Sequence, residues 1–249
     1  MTLVTVVGDC SSTTAVGLTA VWPVAERAVL VEFDPAGGCV AAWLDVPRAP
    51  GLSSLVALGS VTLPAIDVAV QRSPGGVEVL VAPSSVKEAA VTVHAANQTV
   101  LPVLSAAPAI VFIADGGRVR GGLPPVATHA RVTVVVHRQM AAAAGAATLG
   151  LERVAEVCEV LTRRSVPFVF AMVGDRPYGL DEAAGFVGAQ HAVLLPVDPW
   201  AAAVFAGRVG SKRRLQRSGL WHGLVELAAM VGVLRRQADN EFEDAHRGS

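Results

Sequence analysis

Two aspartates that close apolar runs are the first candidates for chemistry in this chain. Ala28-Val-Leu-Val-Glu-Phe-Asp-Pro-Ala-Gly-Gly38 reads as a buried strand that stops on Asp34 and enters a Pro/Gly loop. Asp115 closes a second run of the same kind, Ala109-Ile-Val-Phe-Ile-Ala114. In an open α/β sheet, ligands bind in the crevice at the carboxyl ends of the strands. Two carboxylates delivered there by neighbouring strands suit a Mg²⁺ that keeps several of its waters. The alternative is that each aspartate simply caps the turn that follows its strand.

A third group of residues sits between the first apolar run and the helix after it. Gly8-Asp-Cys-Ser-Ser-Thr-Thr14 offers the hydroxyls of Ser11, Ser12, Thr13 and Thr14 at a helix start. Free N–H groups and the positive end of the helix dipole make such a start an anion site. The phosphate-loop pattern GxxxxGK[ST] places a lysine before its hydroxyl residue, and here that place holds Ser12. The competing reading is an ordinary strand-to-helix turn with Asp9 or Ser11 as N-cap.

These residues need a scaffold, and the pattern of the chain supplies one. Continuous apolar runs at Leu3–Gly8, Val29–Phe33, Val77–Ala82, Ile110–Ala114, Val132–Val136, Phe168–Val173 and Ala192–Leu195 are expected of parallel strands covered on both faces. Helical stretches are expected at Thr13–Val21, Val86–Val100, Leu151–Arg164, Asp181–Val187, Trp200–Ala206 and Leu220–Arg236. Strand and helix in alternation predict an α/β fold, a doubly wound, mostly parallel sheet with helices on both faces. No linker divides the chain. The expected organisation is one domain over residues 1–236 and a polar, disordered tail over 237–249.

With 52% apolar residues the 249-residue chain can bury one large core, and its net charge of -1 gives no global argument for nucleic acid or an anionic membrane. The uncharged stretch between Glu88 and Asp115 contains His94, Asn97, Gln98, Pro102 and Pro108, which would strand polar groups in lipid, so no membrane span is expected. Three widely spaced cysteines, Cys10, Cys39 and Cys158, with no CxxC pair, fit a reduced cytoplasmic protein. The six histidines show no zinc spacing. The basic cluster Arg208, Lys212, Arg213, Arg214 and Arg217 can meet nucleic-acid phosphates or an acidic partner, or be a solvated loop before the last helix.

Together these landmarks resemble the ParA/MinD family of deviant Walker A P-loop ATPases, from Leu3 to about Val233. Val29-Leu-Val-Glu-Phe-Asp-Pro-Ala-Gly-Gly38 is similar to the family's strand ending in Asp-x-Asp-Pro-Gln-Gly, and Pro50-Gly-Leu-Ser-Ser-Leu55 to the helix start that follows it. Gly76-Val-Glu-Val-Leu-Val-Ala-Pro83 resembles the strand that ends in a proline loop. Ile110–Asp115 resembles the Walker B strand, and Leu195-Pro-Val-Asp-Pro199 the late loop at the base of the nucleotide. The resemblance implies Gly8, Asp9, Ser11, Ser12, Thr13, Thr14 and Asp198 around a nucleotide. Thr13 would ligate Mg²⁺, Thr14 would touch the α-phosphate, Asp34 would orient water or metal, and Asp115 would hold the metal through water. It also implies a homodimer.

The departures fall where charge matters. The family's KGGxGKT corresponds to Val7-Gly-Asp-Cys-Ser-Ser-Thr13, so Val7 and Ser12 replace lysines, and Asp9 replaces a glycine. Glu32 stands for the first aspartate of the switch, and Gly174-Asp-Arg-Pro177 lacks the asparagine that reads adenine. A lost cation beside a triphosphate forfeits several kcal/mol, of which backbone N–H groups and the helix dipole return up to ~2 kcal/mol. An Asp9 carboxylate facing the phosphates would add to the deficit. The expectation is a pseudo-ATPase with no cofactor, or with weakly bound ATP or ADP and Mg²⁺. It would act with a protein partner as regulator or adaptor in division, partition or the positioning of an envelope machine. Two rivals remain: an active ATPase whose cation comes from Arg118, Arg120, Arg176 or a partner subunit, and a partition factor that binds DNA through Arg208–Arg217.

Overall fold

Runs of valine and isoleucine without polar alternation are stable only where both faces of a strand are covered. In the computed structural model, which describes residues 3–107, 109–119, 122–139 and 144–247, they form one eight-stranded sheet. The strands are Leu3–Gly8 (β1), Arg27–Glu32 (β2), Gln71–Arg72 (β3), Glu78–Leu80 (β4), Ile110–Asp115 (β5), Val132–Arg138 (β6), Phe168–Val173 (β7) and Ala192–Leu195 (β8). Their spatial order is β3-β4-β2-β5-β1-β6-β7-β8. Neighbours are parallel except β3 and β4. The antiparallel β3, absent from the sequence expectation, follows from the Ser73–Gly76 turn, closed by Ser73 and Val77.

Alternate side chains of each strand divide between the two faces. Val4 and Val6 of β1, with Val134 and Val136 of β6, pack under Ser11–Val21 (α1), Pro199–Phe205 (α10) and the final helix, Gly219–Arg247 (α12). On the other face, Leu3, Val31 and Phe112 meet Leu52–Val56 (α3), Leu63–Ala69 (α4), Val86–Thr99 (α5) and Leu101–Ala106 (α6). Val7, Val135 and Phe170 meet Ala144–Arg163 (α8) and Leu180–Phe186 (α9) there. Single turns at Val40–Trp43 (α2), Pro125–Thr128 (α7) and Lys212–Leu215 (α11) complete the chain. The doubly wound architecture read from the sequence is therefore the observed one.

Two boundaries differ from expectation. The uncharged stretch makes two helices rather than one helix and a loop, because Pro102 sits in the first turn of α6, where its missing N–H costs nothing. The chain also continues as helix past Gln237 to Arg247 where a disordered tail was expected. The ion pair from Arg131 Nε to Asp239 Oδ1, 3.0 Å, ties this extension to the start of β6, and Arg235 pairs with Glu26 one turn earlier. No helix among the described residues is long and apolar enough to cross a membrane.

The α1–α12 contact is tight because Gly17 leaves no side chain between the helices: a Cβ there would lie 2.5 Å from Leu224 Cδ1. Leu224 is fully buried. Leu224→Ala should therefore lower unfolding free energy by about 2–5 kcal/mol in a urea titration.

Candidate functional site

β1 runs between β5 and β6, so its carboxyl end opens at the switch point of the sheet, where such folds collect ligands. The turn to α1 is two residues long. Gly8 makes it possible: its φ is +107°, and a Cβ there would stand 2.2 Å from the Val136 carbonyl oxygen. Gly8 N donates to Gly117 O and Asp9 N to Val136 O, both at 2.9 Å, stitching the turn to both neighbouring strand ends. Cys10 then adopts φ 56° before the helix, without a side-chain cap.

A cleft of about 640 Å³ lies over this turn, lined by Gly8, Ser11, Ser12, Thr13 and Asp34 among others. It reaches across to Val93, His94 and Asn97 of α5 and to Arg118 in the loop after β5. Four of the predicted loop residues and one predicted aspartate are thus brought together. Thr14 is not among them: it is buried against the body of the fold, its N–H bonded to Cys10 O at 3.0 Å. Asp198 lines neither this cleft nor its neighbour and instead caps α10 by accepting from Ala201 N at 2.9 Å.

Asp9 does not face the cleft, contrary to expectation. Its N–H is held by Val136, which aims the side chain along β6. There its carboxylate accepts from Arg138 N at 3.3 Å and sits 3.5 Å from His137 Nδ1. The hydrogen bond from His137 holds the Asp9 carboxyl below the usual carboxylate range. The charge that the sequence placed against a phosphate is spent on a histidine instead.

The position of the missing lysine is occupied by a hydroxyl network. Asp115 is buried, its Oδ1 accepts from the Gly117 N–H at 3.0 Å, and the Ser12 and Ser11 hydroxyls lie beside the carboxylate and pull its pKa down. Burial nonetheless pushes the Asp115 carboxyl up, and the nearby Asp34 charge adds to the rise. The Ser12 hydroxyl also meets the Cys39 thiol, which burial raises to about 11. Neither Lys87 nor Lys212, the two lysines of the chain, lines the cleft.

Glu32, which replaces a switch aspartate, faces inward. Its Oε1 accepts from Val40 N at 2.8 Å and its Oε2 from Ala82 N at 2.9 Å, so it braces the loop after β2 against the end of β4. Gly38 permits this approach, since a Cβ there would lie 2.6 Å from Oε2. Burial raises the Glu32 carboxyl to about 7, against the pull of the two N–H bonds, with Asp115 adding to the rise. Asp34 lies at the mouth. Its Oδ1 accepts from Ala36 N at 2.7 Å, and its carboxylate rests on Gly117, where a Cβ would be 2.3 Å from Cγ.

Among the described residues no group of three or more His, Cys, Asp or Glu side chains is placed to hold a metal ion. Thr13 and Asp34 line the cleft, and Asp115 lies buried beside it. Arg118 is the arginine on the cleft wall; Arg176 is not on it, and Arg120 falls outside the described residues. The basic cluster lies elsewhere, exposed on and beside α11, with the Arg214 guanidinium stacked 4.1 Å over the Trp200 ring. Sequence reasoning gave no site role to Cys39 or His137 and read Glu32 only as standing for a switch aspartate. A histidine directly after the run Val134-Val-Val136, near the end of its strand, was the available signal for the last.

Fold and crevice together define a doubly wound nucleoside-triphosphatase architecture. Comparison with solved structures narrows it to the ParA/MinD ATPase fold. The cell-division ATPase MinD of Pyrococcus furiosus superposes with a TM-score of 0.70 at 18% identity, covering 94% of this chain and 99% of that one. A ParA family ATPase from Chlorobium tepidum gives 0.69 at 14%, covering 92% and 97%. The septum site-determining protein MinD of Pyrococcus horikoshii, complexed with Mg-ADP, gives 0.68 at 15%, covering 92% and 95%. No family profile and no curated protein matches the sequence.

Two measurements follow from this geometry. Glu32 has a folded pKa near 7 against an ordinary 4.5, so its contribution to stability is complete below pH 4.5 and is lost as pH rises through 7. Unfolding free energy should fall by up to about 2–3 kcal/mol between pH 5 and 8, and Glu32→Gln should flatten that slope. Gly117→Ala, at φ +72°, should cost about 2–3 kcal/mol. Asp34→Ala should recover part of that loss in a double-mutant cycle by removing the clash.

Proposed function

We propose that the chain is a ParA/MinD-like pseudo-ATPase, a regulator or adaptor that keeps the fold of these ATPases without their turnover. The observation that carries this reading is Ser12 at the lysine position, set beside the buried Asp115 carboxyl. A cationic side chain at position 12 would neutralise phosphate charge. Ser12 instead lies beside a buried carboxyl that burial makes harder to ionise, which weakens it as a partner for Mg²⁺. With Asp34 and Glu32 close to the same point and neither lysine on its walls, the crevice offers acids where a triphosphate needs positive charge. The residues present do not suit Mg-ATP as an integral cofactor.

The wider role rests on the likeness to proteins that select division sites and to a ParA family ATPase. Such a protein would work through a protein partner or a second copy of itself, in division, partition or the positioning of an envelope machine in the cytoplasm. One observation favours a second reading, an active ATPase. Arg118 stands on the cleft wall and can supply a cation in place of the lost lysine. The exposed cluster Arg208, Lys212, Arg213, Arg214 and Arg217 makes no ion pair among the described residues, which leaves it available to DNA phosphates or an acidic protein.

Isothermal titration with Mg-ATP should give a Kd no tighter than about 10 µM, and a phosphate-release assay should show no turnover above background. Turnover on the order of 0.01 s⁻¹ or faster, abolished by Arg118→Ala, would establish the ATPase reading instead.

A further inference from the structure

The final helix, α12, has charge of the unfavourable sign at each of its poles. Aligned peptide dipoles make a helix positive at its N-terminus and negative at its C-terminus, so acids stabilise its start and bases its end. α12 begins at Gly219, where Ser218 Oγ accepts from Trp221 N at 3.1 Å. Just before that positive pole stand Arg213, Arg214 and Arg217. The last turns of the helix hold Asp239-Asn-Glu-Phe-Glu-Asp244, four acids with no base among them. With 29 residues at about 1.5 Å each, α12 is about 43 Å long, so its two charged ends cannot neutralise one another within one chain.

The basic end is a fixed surface. Arg208, Lys212, Arg213, Arg214 and Arg217 are exposed, and none makes an ion pair among the described residues. Asp198 is the single acid between Pro196 and His222, and it is committed to Ala201 N as the cap of α10. Two glycines press the loop between α10 and α11 onto the body of the fold. A Cβ on Gly207, at φ +94°, would stand 2.1 Å from the Trp43 carbonyl oxygen, and one on Gly210 would stand 2.5 Å from Val204 Cγ2. Between them Val209 projects into solvent, 97% exposed, and gives the cationic surface an apolar centre. The complement of such a surface is an acidic segment with an apolar residue in it. The far end of α12 has that composition, with Phe242 inside its run of acids.

We propose that this protein self-associates head to tail, the acidic end of α12 in one copy docking on the basic α10–α11 surface of a second copy. Asp239 pairs with Arg131 of its own chain, so the docking acids are Glu241, Glu243 and Asp244, with Phe242 covering Val209. The contact corrects the mismatch at both poles, because it brings acids to the positive end of one α12 and cations to the negative end of the other. It joins two different surfaces and leaves one of each unused on every pair, so it propagates into a filament or closes into a ring, unlike a two-fold dimer. Neither the crevice nor a nucleotide takes part.

The test is sedimentation velocity of the full chain without nucleotide, from about 5 to about 200 µM, in about 25 mM and about 500 mM NaCl. At the lower salt the weight-average sedimentation coefficient should rise with concentration, with an apparent Kd on the order of 10–100 µM. At the higher salt the Debye length falls to about 4 Å, and association should weaken at least about tenfold. Neutralising either surface, by Lys212→Gln with Arg213→Gln or by Glu243→Gln with Asp244→Asn, should weaken self-association to a similar degree while circular dichroism shows unchanged helix content. Mixed in equal amounts, these two variants should form a dimer and nothing larger, since one intact pair of surfaces remains. A chain with the charges exchanged, Lys212→Glu and Arg213→Glu together with Glu243→Lys and Asp244→Lys, should associate again. A monomer at about 200 µM in low salt, or assembly that survives both neutralised variants, would overturn the proposal. So would a loop variant that loses retardation of DNA while its self-association is unchanged, which would make the cluster a nucleic-acid site. No step requires ATP, so the outcome is independent of the ATP titration.

Discussion

A buried carboxylate must find a partner or a proton, and the centre of this molecule is arranged around two of them, Glu32 and Asp115, with the half-buried Asp34 beside them. Glu32, Asp34 and Asp115 converge near the carboxyl ends of β2 and β5, close enough that each perturbs its neighbours. In the absence of a lysine, the fold satisfies them with neutral donors: backbone N–H groups of Val40 and Ala82 for Glu32, of Ala36 for Asp34 and of Gly117 for Asp115, with serine hydroxyls beside the last. Neutral donors stabilise a carboxylate less than a cation does. Burial therefore wins at Glu32 and Asp115, and both hold their protons to higher pH than an exposed acid would.

That choice spreads outward. Because Glu32 is spent on Val40 and Ala82, the loop after β2 is fastened to the end of β4 and lies close over α1. Because Asp34 rests on Gly117, the loops after β2 and β5 touch at the mouth of the crevice. Asp9 completes the pattern from the other side by turning to His137, which leaves the crevice one negative charge poorer than the sequence implies. The fold shared with ParA/MinD ATPases is present, and the loops after β2 and β5 are held by acids and neutral donors.

Much of the scaffold was legible in the chain. Seven of the eight strands lie in the apolar runs, since continuous Val/Ile stretches between turn residues have few other stable arrangements. The two-residue β3 carried no such signal, because its pairing depends on the Ser73 turn and not on burial. The extension of α12 was missed for a related reason. Residues beyond Gln237 have no apolar stripe, and the contact with Arg131 joins positions more than a hundred residues apart.

The crevice divides along the same line. Residue types alone determined that the turn after β1 lacks a lysine, that Asp34 and Asp115 stand at strand ends, and that Gly8 begins the turn, since each is local in the chain. Only the tertiary structure decided where those groups point. Asp9 faces Val136 and His137 because β6 lies beside β1, Ser12 reaches Asp115 because β5 lies on the other side, and Glu32 turns inward because the backbone of β4 offers it a donor. Direction is set by neighbours that arrive from distant parts of the chain, and no spacing pattern along the sequence records which neighbour a side chain will meet.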